Sequence, residues 1–271
     1  LVLFSLITVG YSANALGGAG GPLAVLIIAI VAAELGKAVS KETKVDILVT
    51  PLVTIFAGVG LSMLIAAPIG AAASQVGTLI MWATEQAPLV MGILVSVIVG
   101  VALTLPISSA AICAALGLTG LAGGAAVAGC CAQMVGFAVM SYKENGVGGL
   151  VSQGLGTSML QMGNIIKNPR IWIAPTLASA ITGPLATCVF HFEMNGAAVS
   201  SGMGTCGLVG QIGVYTGWVS DIAAGTKAAI TPMDWAAMVL LCFVLPAVLS
   251  VVFCEVERKL GWIKEGDLKL N

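Results

Sequence analysis

The sequence predicts an all-α integral membrane protein, and two observations carry that reading. The chain is 58% hydrophobic and only 8% charged. An ordinary soluble domain is roughly a quarter charged, so a water-facing surface cannot be assembled from what is present. The apolar residues also come in blocks long enough for helical spans, rather than in the ten-residue alternating strands of an outer-membrane barrel. At about 20 residues per full span, the pattern predicts about eight to ten transmembrane or re-entrant helices, some of them broken, in a single domain covering 1–271.

The elements follow in chain order. Residues 1–16 are apolar up to Asn14, and GGAGG at 17–21 separates them from a second apolar run ending at Glu34–Lys37. The polar link from Lys37 to Asp46 holds three lysines, and the run 47–70 after it is the clearest single span. Residues 71–87 contain no Lys or Arg. Basic residues concentrate on the cytoplasmic side, so Lys37–Lys44 is placed inside and 71–87 outside. An apolar run then crosses from Pro88 to Pro106, LPISSAAIC at 105–113 interrupts it, and a further stretch continues to Tyr142. Within that stretch Gly120, Gly124, Ala128, Ala132 and Gly136 recur at every fourth residue. Small residues at that spacing form a groove that lets another helix approach closely, within the protomer or across a dimer.

KENG at 143–146 is a turn whose charges cancel. The next segment, GGLVSQGLGTSMLQMGN at 148–164, is too polar and too rich in glycine for a lipid-facing span, so it is expected to be shielded by protein or to line a cavity. Lys167, Asn168, Pro169 and Arg170 form a second basic turn, 171–190 crosses outward, and a last span covers 235–254. The tail 255–271 carries Arg258, Lys259, Lys264 and Lys269, which places it in the cytoplasm. LPISSAAIC and GPLATCVF, the latter at 183–190, hint at an internal repeat of the kind transporters carry.

Net charge is −1 and no basic cluster precedes the tail, which excludes a nucleic-acid partner. The seven cysteines include no C-x-x-C pair and read as small apolar residues within spans. No cofactor is expected. The chain opens on an apolar run with neither Met nor a positive leader, so Leu1 reads as a point inside a longer protein.

The segment HFEMNGAAVSSGMGTCGLVGQ, 191–211, holds the lone histidine, Glu193, Asn195 and five glycines within 196–210. Glycine costs a helix about 1 kcal/mol per residue, and an unpaired backbone group in hydrocarbon costs several. The segment must therefore lie inside protein, as a re-entrant or broken helix whose free backbone groups face a polar ligand. Two readings of its start remain open. In one, 191–195 is a solvated extracellular turn; in the other, Glu193 and Asn195 accept hydrogen bonds from a ligand's hydroxyls with His191 beside them. A metal site would need further His or acidic ligands, and none is available. Asn14, Ser108, Ser109, Gln133, Gln161, Asn164, Thr205 and Gln211 also stand where lipid exposure is costly. Each serves either as a helix–helix hydrogen bond or, with the others, as the lining of one polar cavity. Trp172 and Tyr215 read as interfacial anchors.

The string NPRIWIAPTLASAITGPLATCVFHFEMNGAAVSSGMGTCGLVGQIGVY, 168–215, resembles the most recognisable part of the EIIC-like membrane proteins of the sugar phosphotransferase system, a bacterial family that includes regulators of toxin production. The layout of the preceding region is similar, so the resemblance covers essentially the whole chain. It implies an EIIC-like bundle in the bacterial inner membrane, homodimeric, with re-entrant hairpins and a substrate site near them. It also implies that phosphorylation belongs to a separate cytoplasmic component and that this chain is not itself an enzyme. Glu193 matches the hairpin glutamate that touches sugar hydroxyls in such permeases. The resulting expectation is a permease for a small polar solute such as a sugar, with Glu193, Asn195, His191, Thr205, Gln211, Asn14, Ser108, Gln161 and Asn164 as candidate binding residues. The alternative is a membrane sensor with the same fold that binds its ligand without moving it.

Overall fold

The computed structural model describes residues 21–40 and 46–270; Asn14 lies outside them. The chain divides into two compact units, one of residues up to Gly77 together with Ala114–Leu116, the other of Thr78–Cys113 and Gly117–Asn271. The described residues are mostly helical, and their only extended pairing is an isolated antiparallel bridge between Gly120 and Met194. Four helical stretches are long and apolar enough to cross a membrane: Asp46–Gln86, Gly120–Met140, Pro169–Val189 and Pro232–Lys259; Pro88–Thr104 is a shorter apolar helix.

In the first unit, α1 (Gly21–Val39) packs Ala24 and Ile28 against Ala66 of α2 (Asp46–Gln86), with Leu61, Ile65 and Ile69 around them. The sequence reading took 47–70 as one span and put 71–87 outside. The helix instead runs unbroken for 41 residues, about 60 Å at 1.5 Å per residue and about twice the ~30 Å hydrocarbon thickness. Residues 71–86 hold several Ala residues and contain no proline, so nothing in them stops the helix at residue 70.

The second unit is built around α5 (Gly120–Met140), buried on every side. Helices α3 (Pro88–Thr104), α8 (Ile173–Pro184) and α12 (Leu245–Lys259) surround it. Its small residues permit this, as the spacing of Gly120, Gly124, Ala128, Ala132 and Gly136 predicts. A Cβ on Gly100 of α3 would stand 2.8 Å from the Gly129 carbonyl oxygen, and one on Gly136 would stand 2.5 Å from Ser250 Oγ of α12. Buried polar side chains pair across the same contacts: Ser96 Oγ donates to the Ser179 carbonyl at 2.6 Å, and Gln133 Oε1 accepts from Trp172 Nε1 at 3.0 Å. Trp172, expected as an interfacial anchor, thus spends its N–H inside the bundle.

Between α3 and α5 the expected interruption is present as a break at 105–108 and a short helix, α4 (Ser109–Leu116), with left-handed Gly117 and Gly120 turning the chain into α5. In the segment after α5 the polar Gln153, Ser158, Gln161 and Asn164 are buried, whereas the apolar Val151, Leu155, Met159 and Leu160 are exposed. The segment forms α6 (Tyr142–Val151), a wide turn at Ser152–Gly156, a tight turn at Ser158–Gln161 and α7 (Met162–Lys167).

The C-terminal tail closes over this segment. Gln161 Nε2 donates to Gln153 Oε1 at 2.9 Å and to the Leu268 carbonyl at 3.0 Å, and Asn164 Nδ2 donates to Gln161 Oε1 at 2.8 Å and to the Lys269 carbonyl at 3.0 Å. Asn168 Nδ2 reaches the Trp262 carbonyl, and Arg258 pairs with Glu144 at 2.9 Å. Leu268 and Ile263 are buried beside Ile165 and Ile171. KENG, expected as a turn, instead lies within α6, where left-handed Gly146 kinks the helix; the basic turn at 167–170, KENG and the basic tail therefore share one end of the bundle.

Candidate functional site

The opposite end of the bundle is shaped by the chain that follows α8. After Val189 the helix ends at Phe190, the chain turns at left-handed His191, and from Phe192 the side chains alternate between two faces, as in extended chain. Phe192 and Met194 turn inward and join a core cluster with Val214, Trp218, Leu241 and Cys242, whereas His191 and Glu193 are exposed and Asn195 is half-buried. An extended segment without a sheet must find other partners for its backbone. Here Gly120 N donates to the Met194 carbonyl, Met194 N donates back to Gly120, both at 3.0 Å, and Phe192 N donates to the Ala186 carbonyl at 2.8 Å. Gly124 lies directly beneath: a Cβ there would overlap the Phe192 carbonyl oxygen.

From Gly196 the chain makes a hairpin. It descends through α9 (Ala198–Ser201), turns at Gly202–Leu208 and returns as α10 (Val209–Ala223). The closeness of its arms depends on glycine, since a Cβ on Gly217 would stand 2.8 Å from the backbone nitrogen of Asn195. The tip uses left-handed Gly204 and Gly207, and Gly204 backs onto Cys130 and Cys131 of α5. Cys130 lies ten residues along the helix from Gly120, so the tip reaches about 15 Å below the bridge, about half the hydrocarbon thickness. Its polar groups are held internally: Ser109 Oγ donates to the Gly202 carbonyl at 2.6 Å and Thr205 Oγ1 to the Gly154 carbonyl. Gln211 Nε2 donates to Cys131 Sγ at 3.3 Å, while its buried Oε1 has no protein partner.

A pocket of about 490 Å³ opens between the extended segment, the end of α10 and the start of α11 (Pro232–Val239). His191, Glu193 and Asn195 form one wall, with Trp218, Asp221, Lys227 and Asp234 opposite. Asn195 Nδ2 donates to Glu193 Oε2 at 3.1 Å and to Asp221 Oδ2 at 2.9 Å, so one amide bridges two carboxylates. Lys227 Nζ lies 2.7 Å from Asp234 Oδ1 and 5.3 Å from the centre of the Trp218 ring. Asp234 is fixed in turn by a capping box with Thr231 that starts α11. Trp235 stacks edge-on against Trp218 and beside Tyr215. The walls thus offer carboxylate acceptors, with the Trp218 ring buried behind Lys227.

The candidate residues do not converge on one cavity. His191, Glu193 and Asn195 share the pocket. Thr205 and Gln211 sit at the hairpin tip. Gln161 and Asn164 hold the tail at the other end of the bundle. Ser108 is exposed and caps α4, accepting from Ala111 N at 3.1 Å. Sequence reasoning missed Asp221, Lys227 and Asp234 as pocket residues. A signal for Asp221 existed: it is the one acid in the run 209–230, three residues beyond Trp218 and six beyond Tyr215, a spacing that puts all three near one helix face. Among the described residues no cluster of His, Cys, Asp and Glu is arranged to hold a metal ion.

A family model described as "Phosphotransferase system, EIIC" matches residues 3–270. No curated protein and no solved structure matches the chain.

Proposed function

The chain belongs to the EIIC family of the sugar phosphotransferase system, a permease-type multi-pass membrane component, and from that premise we propose that it binds and moves a small polar solute, a sugar, through the pocket walled by Glu193, Asn195, His191 and Asp221. The observation that carries this reading is the segment 191–195. Phe192 and Met194 enter the core, while the polar residues between and beside them, His191, Glu193 and Asn195, line the pocket. Carboxylate acceptors in a concave pocket suit a sugar, whose hydroxyls donate to them.

In this reading 196–211 is a re-entrant hairpin, entering from the face opposite the basic tail and turning at mid-membrane depth. Its glycine-lined contacts let the two arms move as one body against α5, the kind of rigid-unit displacement by which secondary transporters alternate access. The whole chain acts as one domain of the inner membrane of a bacterium, paired with a second copy and served by a separate cytoplasmic phosphoryl donor.

The test is equilibrium binding of a sugar panel to the purified protein, with Glu193→Gln as the comparison. Hydrogen bonds to a charged group are worth about 1.5–3 kcal/mol, so the variant should lose roughly ten- to a hundredfold in affinity. Equal affinity in wild type and variant would remove the pocket from the reading. Uptake into liposomes then separates transport from sensing, because a sensor binds without accumulation.

A further inference from the structure

The pocket's side chains divide unequally into engaged donors and free acceptors. Lys227 is spent on Asp234 and the Trp218 face. Thr226 Oγ1 donates to the Asp221 carbonyl at 2.9 Å. Both hydrogens of the Asn195 amide go to Glu193 and Asp221. What remains, apart from His191, is acceptor capacity on Glu193 and Asp221, and among the described residues neither carboxylate has a basic partner.

Two carboxylates tied to a single amide repel one another, and a neutral hydroxyl does nothing to relieve that repulsion. A cation does. The pocket, at about 490 Å³, is far too large for a bare ion and is sized for a ligand of monosaccharide dimensions. A primary ammonium presents three donors, matching two carboxylates and the free carbonyl oxygen of the Asn195 side chain.

Resting on the sugar-binding reading above, we propose that the preferred solute is an amino sugar with a free, protonated amine, whose ammonium sits between Glu193 and Asp221 and completes the bridge that Asn195 begins. Asp221 is then a specificity-determining residue, separating amino sugars from neutral ones. The same charge excludes uronates and sugar phosphates from this face.

The experiment compares binding of glucosamine, N-acetylglucosamine, glucose and glucuronate to the purified full chain in lipid nanodiscs, at slightly acidic pH where the free amine is protonated. Glucosamine should bind at least about tenfold more tightly than glucose or N-acetylglucosamine, a charge-assisted contact being worth at least that factor. Glucuronate should not bind, and added salt should narrow the gap. Asp221→Asn, which keeps an acceptor for the Asn195 amide, should shrink the glucosamine-to-glucose ratio toward one. Glucose or N-acetylglucosamine binding as tightly as glucosamine overturns the inference, and leaves the sugar-binding reading standing where Glu193→Gln still weakens that binding. If no sugar's affinity responds to Glu193→Gln, the sugar-binding reading and this inference fall together.

Discussion

Gly120 and Met194 exchange both of their backbone hydrogen bonds, 3.0 Å in each direction, across 74 residues of chain. That single bridge ties the extended segment to the first turn of the most deeply buried helix. It also fixes the alternation, because a one-residue slip would send Glu193 into the core and Met194 into the pocket.

The close approach beneath this bridge predicts the effect of filling it. Gly124→Leu should collide with the Phe192 carbonyl, which cannot move without breaking the neighbouring pairing. Overpacking of this kind typically costs about 1–3 kcal/mol, and backbone contact places the cost at the upper end. Gly163→Ala is the matched control, since a Cβ there meets open space within α7. Melting temperature of the purified protein checks both. Gly124→Leu should melt clearly lower, and equal melting of the two variants would remove the packing role.

Gln161 predicts a stability effect without a binding effect. It donates to Gln153 and to the Leu268 carbonyl and accepts from Asn164, so Gln161→Ala removes three bonds and leaves buried Gln153 Oε1 with no partner, while the Leu268 carbonyl keeps Asn145 and the Asn164 amide keeps the Lys269 carbonyl. Each unsatisfied buried group costs about 1–3 kcal/mol. The variant should melt earlier and release the tail to protease, while sugar affinity at the distant pocket stays at the wild-type value. Lost affinity with normal melting would instead return Gln161 to the substrate site.

The two ends of the bundle predict opposite accessibility. Lys264 lies in the tail, alongside the 167–170 turn, and Ala224 follows α10 at the pocket end; both are exposed. In a background lacking exposed Cys188, an impermeant thiol reagent added to whole cells should label Ala224→Cys and spare Lys264→Cys. Labelling of Lys264→Cys from outside would invert the orientation inferred from the basic residues.

What the sequence determined by itself was whatever depends on composition and local spacing. Too few charges for a soluble surface meant a membrane protein; a small residue at every fourth position meant a helix packed closely; glycines in 196–210 meant a segment shielded by protein. These are short-range consequences of solvation and backbone freedom, and they are visible one segment at a time. Only the tertiary structure decided which polar residues meet. Asn195 contacts Asp221 across 26 positions, and Gln161 contacts Leu268 across 107. Gln161 and Glu193 looked alike in sequence, each a polar residue in apolar surroundings, yet one secures the tail and the other faces the pocket. The difference lies in how α5, α8, α10 and α12 pack. A buried polar group must find a partner, but the rule says nothing about which one, and that choice belongs to the three-dimensional arrangement of the helices.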